Sequence, residues 1–578
     1  MRDSRMRRSA GTEVRRLLAP LLIVVVAAMA PRHLAAQWMM ASGAGANGAL
    51  GAPVGSDLER YIRALMVANA IVMAPWSTRA LSAADLDRLL VSRDASSRLA
   101  VWRGLTDGTR GLRLLAPSAV ASWNSGYPWG ANDASIAAGR GATTAAGVGV
   151  SVRYGPVTAI LAPSFTATQN SAFPLLENGQ TGVGRFRDGL FPDFVDRPQR
   201  FGDRPFTTSD WGQSQVRVDL QHVTFGAGTQ NIGWGTSEQL APILGPNAPG
   251  FAHVFIGTPA AGIHLSDFGT IAVRYVTGRL EQSGFSPVGG SRTFQSAEQP
   301  GTVRLATGLS VSWMPALMPQ LELGATRLFI SPFFPGHRKW RTLRKPIDGL
   351  FKAKRTRSSE SPGDELGDLD NQLGTLYARV RLPKRGAEFS LEWLREDNSF
   401  DSRDLAQEPE QNAAILAGFR IATRRSARAL GMLTVEWFDG DIAPIGRQRD
   451  QGNLYIHLPL RQGATHRGQL LGAPIGVGAV SGERIQWERF DSSGSWRIDA
   501  ERWNRRFQRI TSVGSLVYDA TRRVPNSRET AFDAGVTRLI FRKRGPALSL
   551  AAGLGMTEAF NFSDRRFNAR LNAGIRGW

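Results

Sequence analysis

The sequence predicts an all-β transmembrane β-barrel of about 16–18 antiparallel strands, preceded by a small N-terminal helical bundle. Three observations carry this. From about residue 112 onward, apolar residues recur with period two, so each segment has one apolar and one wet face. Several of these segments approach the roughly 9–11 residues that a tilted strand needs to cross a bilayer. Hydrophobic residues make up only 42% of the chain, too few for a bundle of transmembrane helices.

The elements follow in chain order. Arg2, Arg5, Arg7, Arg8, Arg15 and Arg16 form a basic opening, and Leu17 to Ala30 is an apolar run broken only by Pro20. That run is short of the roughly 20 residues of a membrane helix, and Ala35 and Ala36 supply a small-residue exit. Residues 1–36 therefore read as a cleaved signal peptide, with an uncleaved anchor as the alternative. Residues 37–55 are rich in Gly, Ala and Ser and read as a flexible linker. A periplasmic helical bundle is expected over 56–110. Ser56 with Glu59 marks one helix start, carrying Leu58, Ile62, Leu65 and Met66 and ending before Pro75. Ser82 or Asp85 starts a second helix with Leu86, Leu89 and Leu90, and 95–107 offers a third. The bundle either plugs the barrel or docks beneath it.

The barrel is expected over 111–578. Val148, Val150, Val152 and Tyr154 alternate with small or polar residues, as do Val216, Val218 and Leu220. Val303, Leu305, Thr307, Leu309, Val311 and Trp313 make the longest alternation. Trp313, Trp393 and Trp437 close alternating runs where interfacial aromatic girdles fall. Closure is required, because an open strand edge in lipid leaves backbone groups unpaired. Connections alternate between short turns, such as 314–320 and 383–387, and long segments, such as 168–210, 281–299, 331–372 and 396–411. At the C-terminus Trp578 sits on the opposite parity from Phe567, Leu571, Ala573 and Ile575.

Composition limits the chemistry. There is no cysteine, which excludes disulfides, thiolate ligands and a thiol nucleophile. The formal charge is +21; removing a leader with seven Arg against Asp3 and Glu13 leaves about +16. Export argues against nucleic acid as partner and favours lipopolysaccharide or an acidic polysaccharide. The seven His are scattered without ligand spacing, so no metal or other cofactor is expected. Glu388 and Glu392 share one strand face and Glu436 lies on another alternating run. A charged lumen wall accounts for them better than a glycosidase pair, and no catalytic residue is assigned. The acidic group Asp364, Glu365, Asp368 and Asp370 reads as a counterweight to the basic run before it. That run includes Arg338, Lys339, Trp340, Arg341, Arg344 and Lys345. It suits either an anionic sugar polymer or lipopolysaccharide phosphates.

Residues 222–256 contain Gly233, Trp234, Gly235, Leu244, Asn247, Pro249 and Gly250, and this stretch resembles the hallmark region of the Wzi-type capsule assembly proteins. A second stretch, His466, Arg467, Gly468, Leu471, Gly472, Pro474 and Gly476, resembles the late motif of the same family. The resemblance extends over 56–578, but the basic loop at 336–358 has no counterpart in it. It implies a barrel of about 18 strands with a helical bundle near its periplasmic mouth. It also implies a non-catalytic, lectin-like role in attaching capsular polysaccharide or exopolysaccharide to the cell surface. The motif residues read as structural, with Trp234 also a candidate sugar contact. A monomer is favoured. The competing reading is a porin or substrate channel, which an open lumen would distinguish.

Overall fold

The computed structural model describes residues 51–90, 102, 111–288, 303–333, 339–348, 370–396, 402–407, 409–410, 412–426, 428–440, 454–457, 460–506, 528–542 and 545–576. The expected leader, most of the linker, the third helix apart from Trp102, and Trp578 lie outside these residues.

Eighteen antiparallel strands close into a barrel. The first half comprises β1 (Gly111–Asn124), β2 (Gly141–Tyr154), β3 (Val157–Leu161 with Ser164–Thr168), β4 (Phe206–Asp210 with Gln215–Asp219), β5 (Thr224–Gly228), β6 (Ala252–Gly257 with Ile263–Leu265), β7 (Gly269–Leu280), β8 (Val303–Pro315) and β9 (Leu321–Phe333). The second half comprises β10 (Asn371–Leu382), β11 (Ala387–Glu396), β12 (Ala413–Ser426), β13 (Ala429–Asp439), β14 (Val480–Asp491), β15 (Gly494–Arg506), β16 (Arg528–Ile540), β17 (Ala547–Phe560) and β18 (Asp564–Arg576). The two ends of the sheet meet where β1 pairs β18, with Ala119 facing Ile575 and Trp123 facing Leu571. Pro163 interrupts β3, since it has no N–H to give the ladder.

One end of the barrel carries only tight connections, such as 155–156, 316–320, 383–386 and 492–493. The other end carries long ones, including 125–140, 169–205, 229–251 and 440–479. In barrels of this class the short-turn end is periplasmic and the long loops are outside. No described helix is long and apolar enough to cross a membrane. The strands supply the crossing instead. Leu323, Leu376, Leu391, Ile485, Ile498, Phe532, Leu554 and Leu571 all point outward and are exposed. A continuous exposed apolar belt of this kind is stable only against lipid.

The opposite parity faces a lumen that is filled. Helix α1 (Asp57–Val67) begins where the Glu59 N–H donates to Ser56 Oγ at 3.2 Å. The Glu59 carboxylate reaches one residue further back and accepts from the Gly55 N–H at 2.6 Å. Helix α2 (Ala83–Leu89) has a reciprocal capping box between Ser82 and Asp85. Both helices lie inside the short-turn end of the barrel rather than beneath it. Tyr61 and Ile62 join one apolar cluster with the inward-facing Met314, Leu430, Met432, Phe490 and Leu539. Trp102 stacks on Tyr61 at 4.6 Å and meets Phe490 edge-on at 5.5 Å.

Candidate functional site

A seam of buried charge fixes the helical plug to the barrel wall. Arg379 on β10 bridges two carboxylates. It donates from Nη1 to Glu388 on β11 at 2.9 Å and from Nε to Glu322 on β9 at 2.6 Å. Its Nη2 donates to Ala74 O of the plug at 2.7 Å, and Arg381 donates to Met66 O at 2.8 Å. From α1, Arg63 pairs with Glu388 and lies 3.6 Å from Glu238, while Arg60 donates to Glu488 on β14 at 2.8 Å. All these side chains are buried. Charges taken out of water must be paired, and here the pairs of Arg60 and Arg63 with Glu488 and Glu388 join plug to wall, while Arg379 ties neighbouring strands together beneath them. Glu388, Glu392 and Glu436 do face the lumen, each tied to a cation or a loop hydrogen bond.

From the outer end, the loop 229–251 descends to meet the plug. Gly233 and Trp234 form a two-residue antiparallel pairing with Arg79 and Thr78. Gly235 adopts φ +96°, and a Cβ there would lie 2.6 Å from the Glu392 carboxylate oxygens. Only glycine satisfies both constraints. Just beyond it, Thr236 N–H donates to Glu392 at 2.9 Å and Ser237 Oγ donates to Glu436 at 2.8 Å. Burial among these groups pushes the Glu238 carboxyl up to about 7, against the opposing pull of Arg420.

The two motif stretches, more than 200 residues apart in sequence, pack on each other. Asn247 Nδ2 donates to Leu470 O at 2.8 Å, Gly245 N–H donates to Leu471 O at 2.9 Å, and Gln469 Nε2 donates to Asn247 O at 3.2 Å. Gly472 lies so close to Pro242 O that a Cβ would clash, and Gly250 stands in the same relation to Thr229 O. Leu244 O accepts from the Trp234 N–H at 2.9 Å. Pro249 is buried and Gly468 holds φ +81°. Trp234 itself is fully buried, with its ring over Gly308 on the inner wall. That position corrects its reading as a sugar contact: the ring is core packing, out of reach of a surface ligand.

Above this packed region a cleft of about 350 Å³ opens at the outer mouth. Loops 125–140 and 169–205 contribute Tyr127, Trp129, Phe173 and Arg197, while β15 contributes Trp503, Asn504 and Arg505. Tyr127 is locked in place. Thr557 Oγ1 donates to its hydroxyl at 3.0 Å, and its ring stacks on Phe560 at 5.0 Å. Arg197 meets Asp188 at 3.3 Å and Arg505 meets Glu529 at 3.0 Å. Trp129, Phe173 and Trp503 are only partly buried, leaving flat apolar faces beside amides and paired charges. Such a lining can hold a molecule with apolar ring faces and a rim of hydroxyls. None of these residues stood out in the sequence. The available signal was the clustering of Trp, Tyr and Asn just past the outer ends of strands.

The basic run is placed elsewhere. Lys339, Trp340, Arg341 and Arg344 lie on a short helix, α3 (Lys339–Arg344), followed by a 3₁₀ turn, Lys345–Ile347. Arg338 is outside the described residues, as are Asp364, Glu365 and Asp368. Asp370 forms an ion pair with Lys345. The structure does not bring this segment to the cleft. It docks on the outside of β7–β10, where the Tyr275 hydroxyl donates to Leu343 O at 2.7 Å and Arg327 Nη1 donates to Asp348 O at 2.6 Å.

The closed sheet, apolar belt and filled lumen define an outer-membrane β-barrel protein with a polar, aromatic cleft at its outer mouth. The family model of the capsule assembly protein Wzi matches residues 124–499, more than half of the chain. The chain belongs to the Wzi capsule assembly protein family. Among solved structures it is similar to Wzi of Escherichia coli, described as an outer membrane protein involved in group 1 capsule assembly and a carbohydrate-binding β-barrel. The two share 13% identity and a TM-score of 0.58, over 91% of this chain and 98% of that one. Lower similarity links it to Pseudomonas aeruginosa OccK5 (OpdH), at 8% identity and TM-score 0.38 over 80% and 97% of the two chains. OccK11 (OpdR) of the same organism follows at 9% and 0.36, over 80% and 95%. No curated protein is a significant sequence match.

Proposed function

We propose that this protein holds surface polysaccharide, capsular or exopolysaccharide, at the outer face of the membrane, binding it in the mouth cleft as a lectin does and without cleaving it. The observation that carries the reading is the cleft itself, where Trp129, Phe173 and Trp503 offer ring faces beside Asn504 and Arg505. Sugar rings stack on aromatic planes through their C–H faces while amide and guanidinium groups take the hydroxyls or carboxylates. Family membership and the carbohydrate binding stated for the E. coli structure support it. A filled lumen favours holding over conduction. In this reading residues 1–36 direct export and are removed, 37–55 tether the periplasmic-end plug, and the chain works as a monomer.

The test compares cell-bound with shed polysaccharide in cells carrying no copy, the wild-type copy, or a Trp129→Ala/Trp503→Ala copy. The expected result is shedding without the gene and with the double variant, at constant total synthesis and unchanged polymer length. Full retention by the double variant would remove the cleft from the proposal; full retention without the gene would remove the function.

A further inference from the structure

The outer wall of β7–β10 breaks the rule that lipid-facing strand positions are apolar. Register places Tyr275, Thr277, Thr307, Arg327, Ser331 and Gln372 on the outward parity. Left bare, these groups would face hydrocarbon without partners, which is costly. The segment 339–348 covers them. Arg327 also donates to Gln372 Oε1 at 2.9 Å, Thr277 and Thr307 bond each other at 3.1 Å, and Lys345 donates to Ser331 Oγ at 3.3 Å. Thr307 and Thr342 are fully buried by this contact. The basic segment is therefore clamped along the wall, at the long-loop half of the barrel.

We propose that this clamped segment and the wall beside it form a binding site for the phosphate groups of an anionic lipid in the outer leaflet. Among the described side chains two cations remain open to the surroundings. Arg344 is 44% exposed beside Asp348, and Arg279 on β7 points outward, exposed, with no ion pair among the described residues. Arg279 shares a level with the ammonium of Lys345, the residue after Arg344. Arg279 faces Leu305, and Leu305 faces Ser331, which receives the Lys345 ammonium. That is two strand spacings, about 10 Å. Ile347 is 71% exposed on the same segment, and Leu323 and Leu376 on β9 and β10 are exposed nearer the short-turn end. The arrangement is amphipathic in the sense a lipid needs: guanidiniums at headgroup level with apolar side chains toward the acyl chains. Arginine pairs bidentately with phosphate, and such contacts are strong where water is scarce. The site lies on the outside of the barrel, away from the cleft, so it stands or falls independently of the polysaccharide reading.

The test uses the full-length protein in detergent and native mass spectrometry with two probes, bis-phosphorylated lipid A and the same lipid without phosphates. Retention of the phosphorylated probe is expected to exceed that of the other by roughly tenfold or more. Arg279→Glu/Arg344→Glu should abolish the difference, and Arg279→Lys/Arg344→Lys should keep most of it. The lysine pair guards against misreading a folding defect. Equal retention of the two probes by the wild type, or an undiminished preference in the glutamate pair, overturns the proposal. So would a dimer that the glutamate pair dissociates while lipid retention stays the same, because the face would then belong to a second copy.

Discussion

Glu388 stands where three guanidiniums converge: Arg63 from the plug, Arg379 from β10 at 2.9 Å and Arg420 from β12 at 3.5 Å. Glu388→Gln would leave buried cations under-compensated, a loss of about 3–5 kcal/mol. The expected outcome is a clear drop in the unfolding temperature in detergent, read by heat-dependent gel mobility. His466 gives the pH counterpart. It is buried in loop 440–479, and its Nδ1 accepts from the Glu281 N–H at 3.0 Å. Burial, reinforced by Arg304 and Arg467, pushes it down to about 3 from an ordinary 6.5. Its folded value lies below its unfolded one, so the stability it contributes is complete above 6.5 and declines as pH falls toward 3. The slope is about 1.4 kcal/mol per unit in that window. Protease nicking of the outer loops should rise on acidification in the wild type and be much less pH-dependent in His466→Gln.

At the scale of elements, the helix starts were the most legible feature, because capping depends on residues three apart. Ser56 caps as its spacing to Glu59 implied, and of the two candidate starts Ser82 and Asp85 it is Ser82 that caps. Ser82→Ala should cost about 1 kcal/mol, measurable in the same unfolding assay. The long alternation of β8 was legible too, since Val303, Leu305, Thr307, Leu309, Val311 and Trp313 share the outward face. The position of α3 was not. A basic run on a long connection looks like a solvent loop unless the strands that receive it are read together. The missing signal was on the wall: polar residues at lipid-facing parity in four consecutive strands, Thr277, Thr307, Arg327 and Gln372. Each is unremarkable within its own strand. Only register, which fixes which residues stand side by side, turns them into a docking surface.

At the scale of the molecule, periodicity carried the barrel, and the expected range of strands includes the eighteen observed. The filling of the lumen was out of reach. Arg60 and Glu488 are 428 residues apart, and Asn247 and Leu470 are 223 apart. No local pattern announces such pairs, and the cleft above them is assembled from loops and strand ends scattered along the chain. A filled lumen has an electrical consequence. The full-length protein in a planar bilayer is expected to pass no steady current. Arg63→Glu, which sets like charge against Glu388 and Glu238, should produce openings. Steady conductance by the wild type would contradict the sealed lumen.

The plug also has a consequence in time. It precedes every strand of the barrel in sequence, yet its seat is made of Glu322, Glu388 and Glu488, carried by β9, β11 and β14. The helices cannot dock until those strands stand side by side, so a segment that comes before the barrel in sequence settles after it. With no cysteine in the chain, nothing covalent holds it in the interval. The seam of charge therefore works as a latch that closes on a finished barrel, and a barrel assembled with one strand missing from that wall would keep its helices outside.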